Sequence, residues 1–451
     1  MNGSSTTRVK VEAGGKGVVS HLGLHALGSF ADRIGLGHVI SGAIPQRPTL
    51  LHDRGKVLVQ AMLALAGGGE SCTDIEQLRY EPTLFGPVCS DTTLQRAVHE
   101  IDEPTRTAVA KAVALVRCDV RRRRSTSGPV VLDIDSSLVE IHSEGKEKAA
   151  PTYKGGYGFH PIFCFADDTG EALSGILRPG NAGANTAADH VAVLDAALCQ
   201  LEAEVRAGHG PGDDPSLVTR QVICRTDSGG TTKGFLAAMR DRNVNFVTSA
   251  MTNTEVQAAI LDAIGLEEVW TPAVTKEGKE REGAFVCELT SLVDLSGFPE
   301  KTRLIVRREP LHPGAQRSLF PSLEHRYFGF YTDLPGEVAE LDLLMRAHAH
   351  VEQHIERLKD SGLCRFPFSS FEANTTWLAL VMLAADLVRW FQLLCFDGSW
   401  SSARPKALRW RLFHAPGRIV SSGRRSIVRI LEHWPDAEHL VRAYRRIAAL
   451  T

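Results

Sequence analysis

The six residues Val130-Val131-Leu132-Asp133-Ile134-Asp135 restrict this chain more than any other stretch. They are aliphatic and β-branched, and Gly128-Pro129 precedes them, so they read as a buried-type strand. Side chains alternate along a strand, which turns Asp133 and Asp135 to one face. Two carboxylates on one face of an apolar strand repel each other and lose hydration unless a cation or hydrogen bonds compensate. The plainer alternative is a strand end that emerges into solvent.

On either side of that strand the hydrophobic pattern changes. From about 18 to 120, apolar residues recur at helical spacing, with polar breaks at Gly67-Gly68-Gly69 and Ser90-Asp91-Thr92. Ser71, Thr73 and Ser90 are candidate helix N-caps. The run Arg121-Arg122-Arg123-Arg124 leads into a Ser/Thr/Gly/Pro linker. After the acidic strand, 160–165 and 172–177 read as strands joined by a turn at 167–170, an antiparallel meander. A helix over 189–207 and a strand over 221–226 follow. This order predicts an α/β fold with a mixed sheet. Strand signals at 286–289, 303–308 and 327–331 mark a β-rich insertion, and helical spacing resumes near Pro335. Five units are expected: a helical 1–128, a first core part 129–245, the insertion 246–335, a second core part 336–400 and a helical 401–451.

Bulk properties exclude several classes. The net charge of -2 rules out a polycation, so any nucleic-acid surface must be local. None of the nine cysteines has a partner at CxxC spacing, which argues against structural zinc and for a reducing cytoplasm. The N-terminus has no apolar signal-like core. The apolar stretch 377–396 carries Asp386 and Arg389, so a buried helix is expected there and no membrane span.

Two further segments carry chemistry. Arg225-Thr226-Asp227-Ser228-Gly229-Gly230 puts an acid at the C-terminal end of a strand before a glycine turn, where open α/β sheets build sites. Helix capping by Asp227 or Ser228 is the simpler role. In His350-Val351-Glu352-Gln353-His354-Ile355-Glu356-Arg357-Leu358-Lys359, residues Glu352, Glu356 and Lys359 share a helix face. Taken alone this is a solvated face with ion pairs, and its histidines lack the spacing of a metalloprotease helix. Together the acids make an all-oxygen set suited to magnesium or manganese. Two such ions about 4 Å apart serve an in-line phosphoryl displacement.

Gly68-Gly69-Glu70, Ser90-Asp91-Thr92-Thr93-Leu94-Gln95-Arg96, Leu132-Asp133-Ile134-Asp135, Gly158-Phe159-His160-Pro161, Leu177-Arg178-Pro179-Gly180-Asn181-Ala182, Arg225-Thr226-Asp227-Ser228 and Glu352 through Lys359 occur in that order. This ordered set resembles bacterial insertion-sequence transposases of the DDE type with a ribonuclease-H-like core, in particular insertion-sequence family thirteen-eighty. The resemblance implies cut-and-paste DNA transposition with two Mg2+ or Mn2+ ions. Its partners would be double-stranded DNA with terminal inverted repeats and target DNA, bound by a homodimer. It implies Asp135, Asp227 and Glu352 as catalytic acids and metal ligands. Asp133 competes for the first position, and Asp135 is favoured because a hydroxyl residue follows it. Lys359 takes the lysine place of the Y-R-E-K signature. Met345 and His348 replace its tyrosine and arginine, and Arg346 is a substitute cation. Arg121, Arg122, Arg123, Arg124, Arg303, Arg307, Arg308 and Arg317 are the implied or candidate DNA contacts. Trp270 is read as packed in preference to stacking on a base.

Two rival readings remain. Val131-Leu132-Asp133-Ile134-Asp135-Ser136-Ser137 is near the nucleophile strand of haloacid-dehalogenase phosphatases, with Asp133 as nucleophile and Asp135 as general acid. Ser137 and the strand meander speak against it. A non-catalytic DNA-binding relic is the other, opposed by the presence of all the acids.

Overall fold

The computed structural model describes residues 13–45, 51–124, 127–311, 325–422 and 425–450. Five helices of eight residues or more lead into the sheet: α1 (Leu22–Arg33), α2 (Leu36–Ala43), α3 (Arg54–Ala66), α4 (Asp91–His99) and α5 (Glu103–Arg122). Side-chain caps start three of them. Asp53 accepts from Lys56 N at 2.9 Å, Ser90 from Thr93 N at 3.2 Å and Asp102 from Thr105 N at 3.0 Å. Each such cap contributes about 1 kcal/mol.

The sheet begins with β1 (Val130–Ser136), β2 (Ile162–Ala166) and β3 (Ala172–Ile176), a meander as expected. Helix α6 (Ala187–Leu198) leads to β4 (Val222–Thr226), and α7 (Lys233–Asp241) to β5 (Asn245–Ser249). Both β4 and β5 run parallel to their inner neighbours, giving the order β3-β2-β1-β4-β5. That arrangement is a ribonuclease-H-like core. After α8 (Thr254–Ile264) come β6 (Thr271–Val274), β7 (Glu280–Glu288), β8 (Arg303–Pro310) and β9 (His325–Thr332). Here β9 pairs antiparallel with β5, so the β-rich stretch continues the same sheet to nine strands.

Strand alternation sorts the two faces. Val130, Leu132 and Ile134 pack with Leu194 of α6 and Phe235 and Leu236 of α7. The opposite face, with Ile223, Val247, Ile305 and Phe330, receives Leu341 and Met345 of α9 (Val338–Arg346). A 3-10 turn links α9 to α10 (His350–Leu358), and α11 (Phe371–Cys395) then crosses the helical body. By length and composition α11 alone among the described helices suits a membrane, yet most of it is buried. Its Asp386 pairs with Arg117 of α5 at 2.7 Å. Arg117 and Arg121 also hold the fully buried Glu171, at 3.0 and 2.9 Å, and Trp390 donates to Glu171 at 2.7 Å. This network ties the N-terminal helices to the β2–β3 turn and to α11.

The C-terminal region departs from the all-helical expectation. It carries a hairpin, β10 (Gly417–Ser422) and β11 (Arg425–Ile430), before α12 (Ala437–Ala449). Val18 and Val19 add a short third strand to it. β-branched residues paired across the strands, Ile419 with Val428 and Val420 with Ile427, explain the hairpin. Arg317, a candidate DNA contact, lies outside the described residues.

Candidate active site

The site grows from the parallel register of β1 and β4. Asp133 stands opposite Arg225, and Ile134 opposite Thr226. One residue further, Asp135 near the end of β1 and Asp227 just past the end of β4 come next to each other, on strands about 4.8 Å apart. Asp227 is exposed and Asp135 half-buried. Asp227 Oδ1 accepts from Gly229 N at 2.9 Å, which anchors the turn after β4. Asp135 Oδ1 accepts from Ser136 N at 2.7 Å.

Asp133 has a different fate. It is fully buried, and Arg225 donates to both its oxygens at 2.7 and 2.6 Å. His348 Nδ1 lies 2.7 Å from Oδ1. Asp167 adds a second carboxylate to Arg225 at 3.0 Å. The metal role expected of Asp133 is therefore corrected: its oxygens already hold Arg225 and His348. The same occupancy removes the phospho-aspartate nucleophile of the phosphatase reading. Burial raises the Asp133 carboxyl's pKa, but the hydrogen bonds and charges of His348 and Arg225 outweigh it and hold the pKa below the usual range.

Helix α9 lies on this face through its apolar side, and its end brings His348, then Glu352 one turn on, toward β1. Glu352 is exposed. Burial first, then the charges of Asp227 and Glu352, push the Asp135 carboxyl up to about 6. These acids share one negative field. Among the described residues, no three His, Cys, Asp or Glu side chains are drawn tightly enough to hold an ion. Glu352 is exposed to solvent beside the strand acids. The site's all-oxygen donors and the raised Asp135 fit a hard divalent cation, which would relieve the repulsion.

Segments without an assigned role in the sequence build the wall. Ser136 Oγ and His160 Nε2 are 2.9 Å apart, and His160 Nδ1 faces Ala182 O at 3.1 Å. A carbonyl can only accept, so Nδ1 carries the proton and Ser136 donates to Nε2. Arg178 braces the wall, donating to His160 O at 2.9 Å and pairing with Asp189 at 3.1 Å. Only the motifs Gly158-Phe159-His160-Pro161 and Leu177 through Ala182 pointed there. His354, suggestive of zinc in sequence, is buried against Phe165 at 5.5 Å, and burial lowers its pKa to about 4. Lys359 pairs with Glu356 at 3.0 Å.

Several expected DNA contacts are corrected by burial. Arg121 is turned inward to Glu171, Arg307 to Asp342 at 2.7 Å, and Arg308 to Glu267 at 2.5 Å. Arg308 also covers Trp270 at 4.5 Å, and the buried Trp270 donates to Ala263 O at 3.1 Å, the packed role. Arg303 pairs with Glu288 at 2.6 Å. Arg122 and Arg123 stay exposed beside Asp119, and Arg124 is half-buried.

A family model described as "Transposase DDE domain group 1" matches residues 2–451. Among solved structures, the chain is similar to "Cryo-EM structure of piggyBac transposase synaptic complex with hairpin DNA". The identity is 10%, with 89% of this chain and 83% of that one covered and a TM-score of 0.42. No curated protein matches.

Proposed function

Because the chain belongs to the group 1 family of transposase DDE domains, we propose that it binds terminal inverted repeats and cuts and joins DNA strands through Asp135, Asp227 and Glu352. One observation carries the assignment of acids. The β1–β4 register sets Asp135 beside Asp227, while the same register buries Asp133 under Arg225.

Asp135, Asp227 and Glu352 would hold two Mg2+ or Mn2+ ions. Such ions, when bound, supply an activated attacking oxygen and neutralise the leaving oxygen. The chain's own residues do the rest. Asp135 and Asp227 offer carboxylates from rigid strand ends, which lowers the cost of orienting them. Glu352 adds its carboxylate from the exposed face of α10. Lys359, two turns along α10, exchanges its pairing with Glu356 for a phosphate of the bound strand. Arg225, Asp133 and His348 clamp β1 and β4 to the 3-10 turn that leads into α10, so the acids on these elements keep their spacing. Two protomers paired on two DNA ends, in the cytoplasm, complete the reading.

The test is cleavage of a duplex bearing the element's own terminal repeat, with magnesium or manganese. Asp227→Ala and Glu352→Ala are each expected to lose cleavage by at least ~10³-fold, with DNA binding retained. Full activity in either variant overturns the assignment. Binding without cleavage by the unmodified protein would favour the non-catalytic relic.

A further inference from the structure

The catalytic helix runs into a basic surface that the chemistry above does not use. Glu356, one turn beyond Glu352 on α10, pairs with Arg404 at 3.1 Å, and Arg404 also reaches Asp360 at 3.0 Å. These pairs tie the segment 404–414 to the site. Its inner side chains, Leu408, Leu412 and Phe413, are buried. Its outer face presents Lys406, Trp410 and Arg411 to solvent.

Trp410 is 78% exposed, whereas the other five of the chain's six tryptophans are buried or half-buried. An indole left in water among cations loses burial energy unless something covers it. It borders a groove of about 730 Å³ shared with Gly67, Gly68, Lys406, Arg409 and His414, and no carboxylate lines it among the described residues. Among those residues, no carboxylate comes within ion-pair distance of Lys406 or Arg409, and Asp360 and Glu70 act on Arg409 only from further away. The glycine turn after α3 makes room for Arg409. Gly68 has a φ of +103°, and a Cβ there would stand 2.6 Å from Arg409 Nη1. The Gly68-Gly69-Glu70 motif thus acquires a structural purpose: it lets a guanidinium lie against the main chain at the groove's edge.

We propose that this groove is a DNA-strand site, with phosphates on Lys406 and Arg409 and an unpaired base stacked on Trp410. The inference rests on the transposase reading and deepens it, since Glu356 of α10 pairs with Arg404 at the groove's rim. Free cations track a nucleic-acid backbone, and an exposed indole face stacks on any base.

The test uses the full chain and two fluorescein-labelled mixed-sequence duplexes of about 30 base pairs, one blunt and one with an unpaired tail of about five thymidines. Wild type is expected to prefer the tailed duplex. Trp410→Ala should weaken binding to the tailed duplex by about tenfold and leave the blunt one unchanged, while Trp410→Phe keeps most of the preference. Lys406→Gln with Arg409→Gln should flatten the slope of log K against log salt by about 1.8 on both duplexes. Lys406 and Trp410 are exposed and Arg409 lies half-buried at the groove's edge, outside the core, so far-UV circular dichroism should match wild type. Wild-type affinity and salt slope in all variants overturn the proposal. So does a Trp410→Ala that changes only the sedimentation of the free protein, which would make the surface a contact between copies. Asp227→Ala serves as the separate control. Failure of the catalytic reading appears as unchanged cleavage in that variant, independent of whether the groove binds the tail.

Discussion

Asp133 and Asp135 stand two residues apart on one strand face, yet their removal should move stability in opposite directions. Asp133→Asn withdraws the carboxylate that holds the fully buried Arg225 by two hydrogen bonds. Breaking a buried pair while leaving one charge behind costs about 3–5 kcal/mol. The expected loss is at the lower end, ~3 kcal/mol, because Asp167 remains 3.0 Å from Arg225. Asp135 carries the reverse sign. Its carboxyl rises from 3.8 to about 6 in the folded protein, so the native state binds the proton more tightly than the unfolded chain. The penalty is absent below pH ~3.8, grows as pH rises and is complete above pH ~6. It amounts to roughly 3 kcal/mol at full value, and partial contact with water reduces it to ~1–2 kcal/mol. In metal-free buffer at neutral pH, Asp135→Asn should therefore raise the guanidinium midpoint while Asp133→Asn lowers it. The gain from Asp135→Asn should fade toward pH ~4. Magnesium should stabilise wild type more than Asp135→Asn, since it offsets the repulsion that the substitution has already removed. Shifts of the same sign in both variants, or a pH-independent Asp135→Asn effect, would refute the assignment of the two acids.

Three further outcomes can be measured. Glu171, buried between Arg117 and Arg121, has its carboxyl lowered to about 2, because the attraction of those arginines exceeds the cost of burial. Its contribution is full above pH ~4.5 and disappears as pH falls toward about 2, so Glu171→Gln should cost about 3 kcal/mol at neutral pH and flatten the acid limb of the stability curve. In Gly230→Ala the new Cβ would overlap the buried Thr226 side chain, displacing the turn that carries Asp227. Cleavage should drop by about 10²-fold with the circular-dichroism spectrum retained. Cleavage by wild type should rise with pH through about 6 as Asp135 ionises, and higher magnesium should move that rise to lower pH, read from initial rates.

Much of the fold was legible locally. The change from helical to alternating spacing near 129 located β1, and the turn at 167–170 placed the β2–β3 hairpin. Asp386 and Arg389 within an apolar run identified α11 as a core helix, and the structure pairs Asp386 with Arg117. The arginines were harder to read. Arg121 and Arg122 are adjacent and chemically equal, but the helix turns one to Glu171 and the other to water. The 417–430 hairpin was missed because arginines among apolar residues suit a helix face as well as a strand.

The acidic strand by itself determined which face its two carboxylates share, because side-chain direction follows from a two-residue period along one segment. It left open which of them is free. That was decided by Arg225, 92 residues away in sequence, and by His348, 215 residues away. Register between distant strands is a property of the assembled sheet. Only the packing of β4 and of the turn after α9 against β1 makes Asp133 a buried counter-ion and leaves Asp135 beside Asp227.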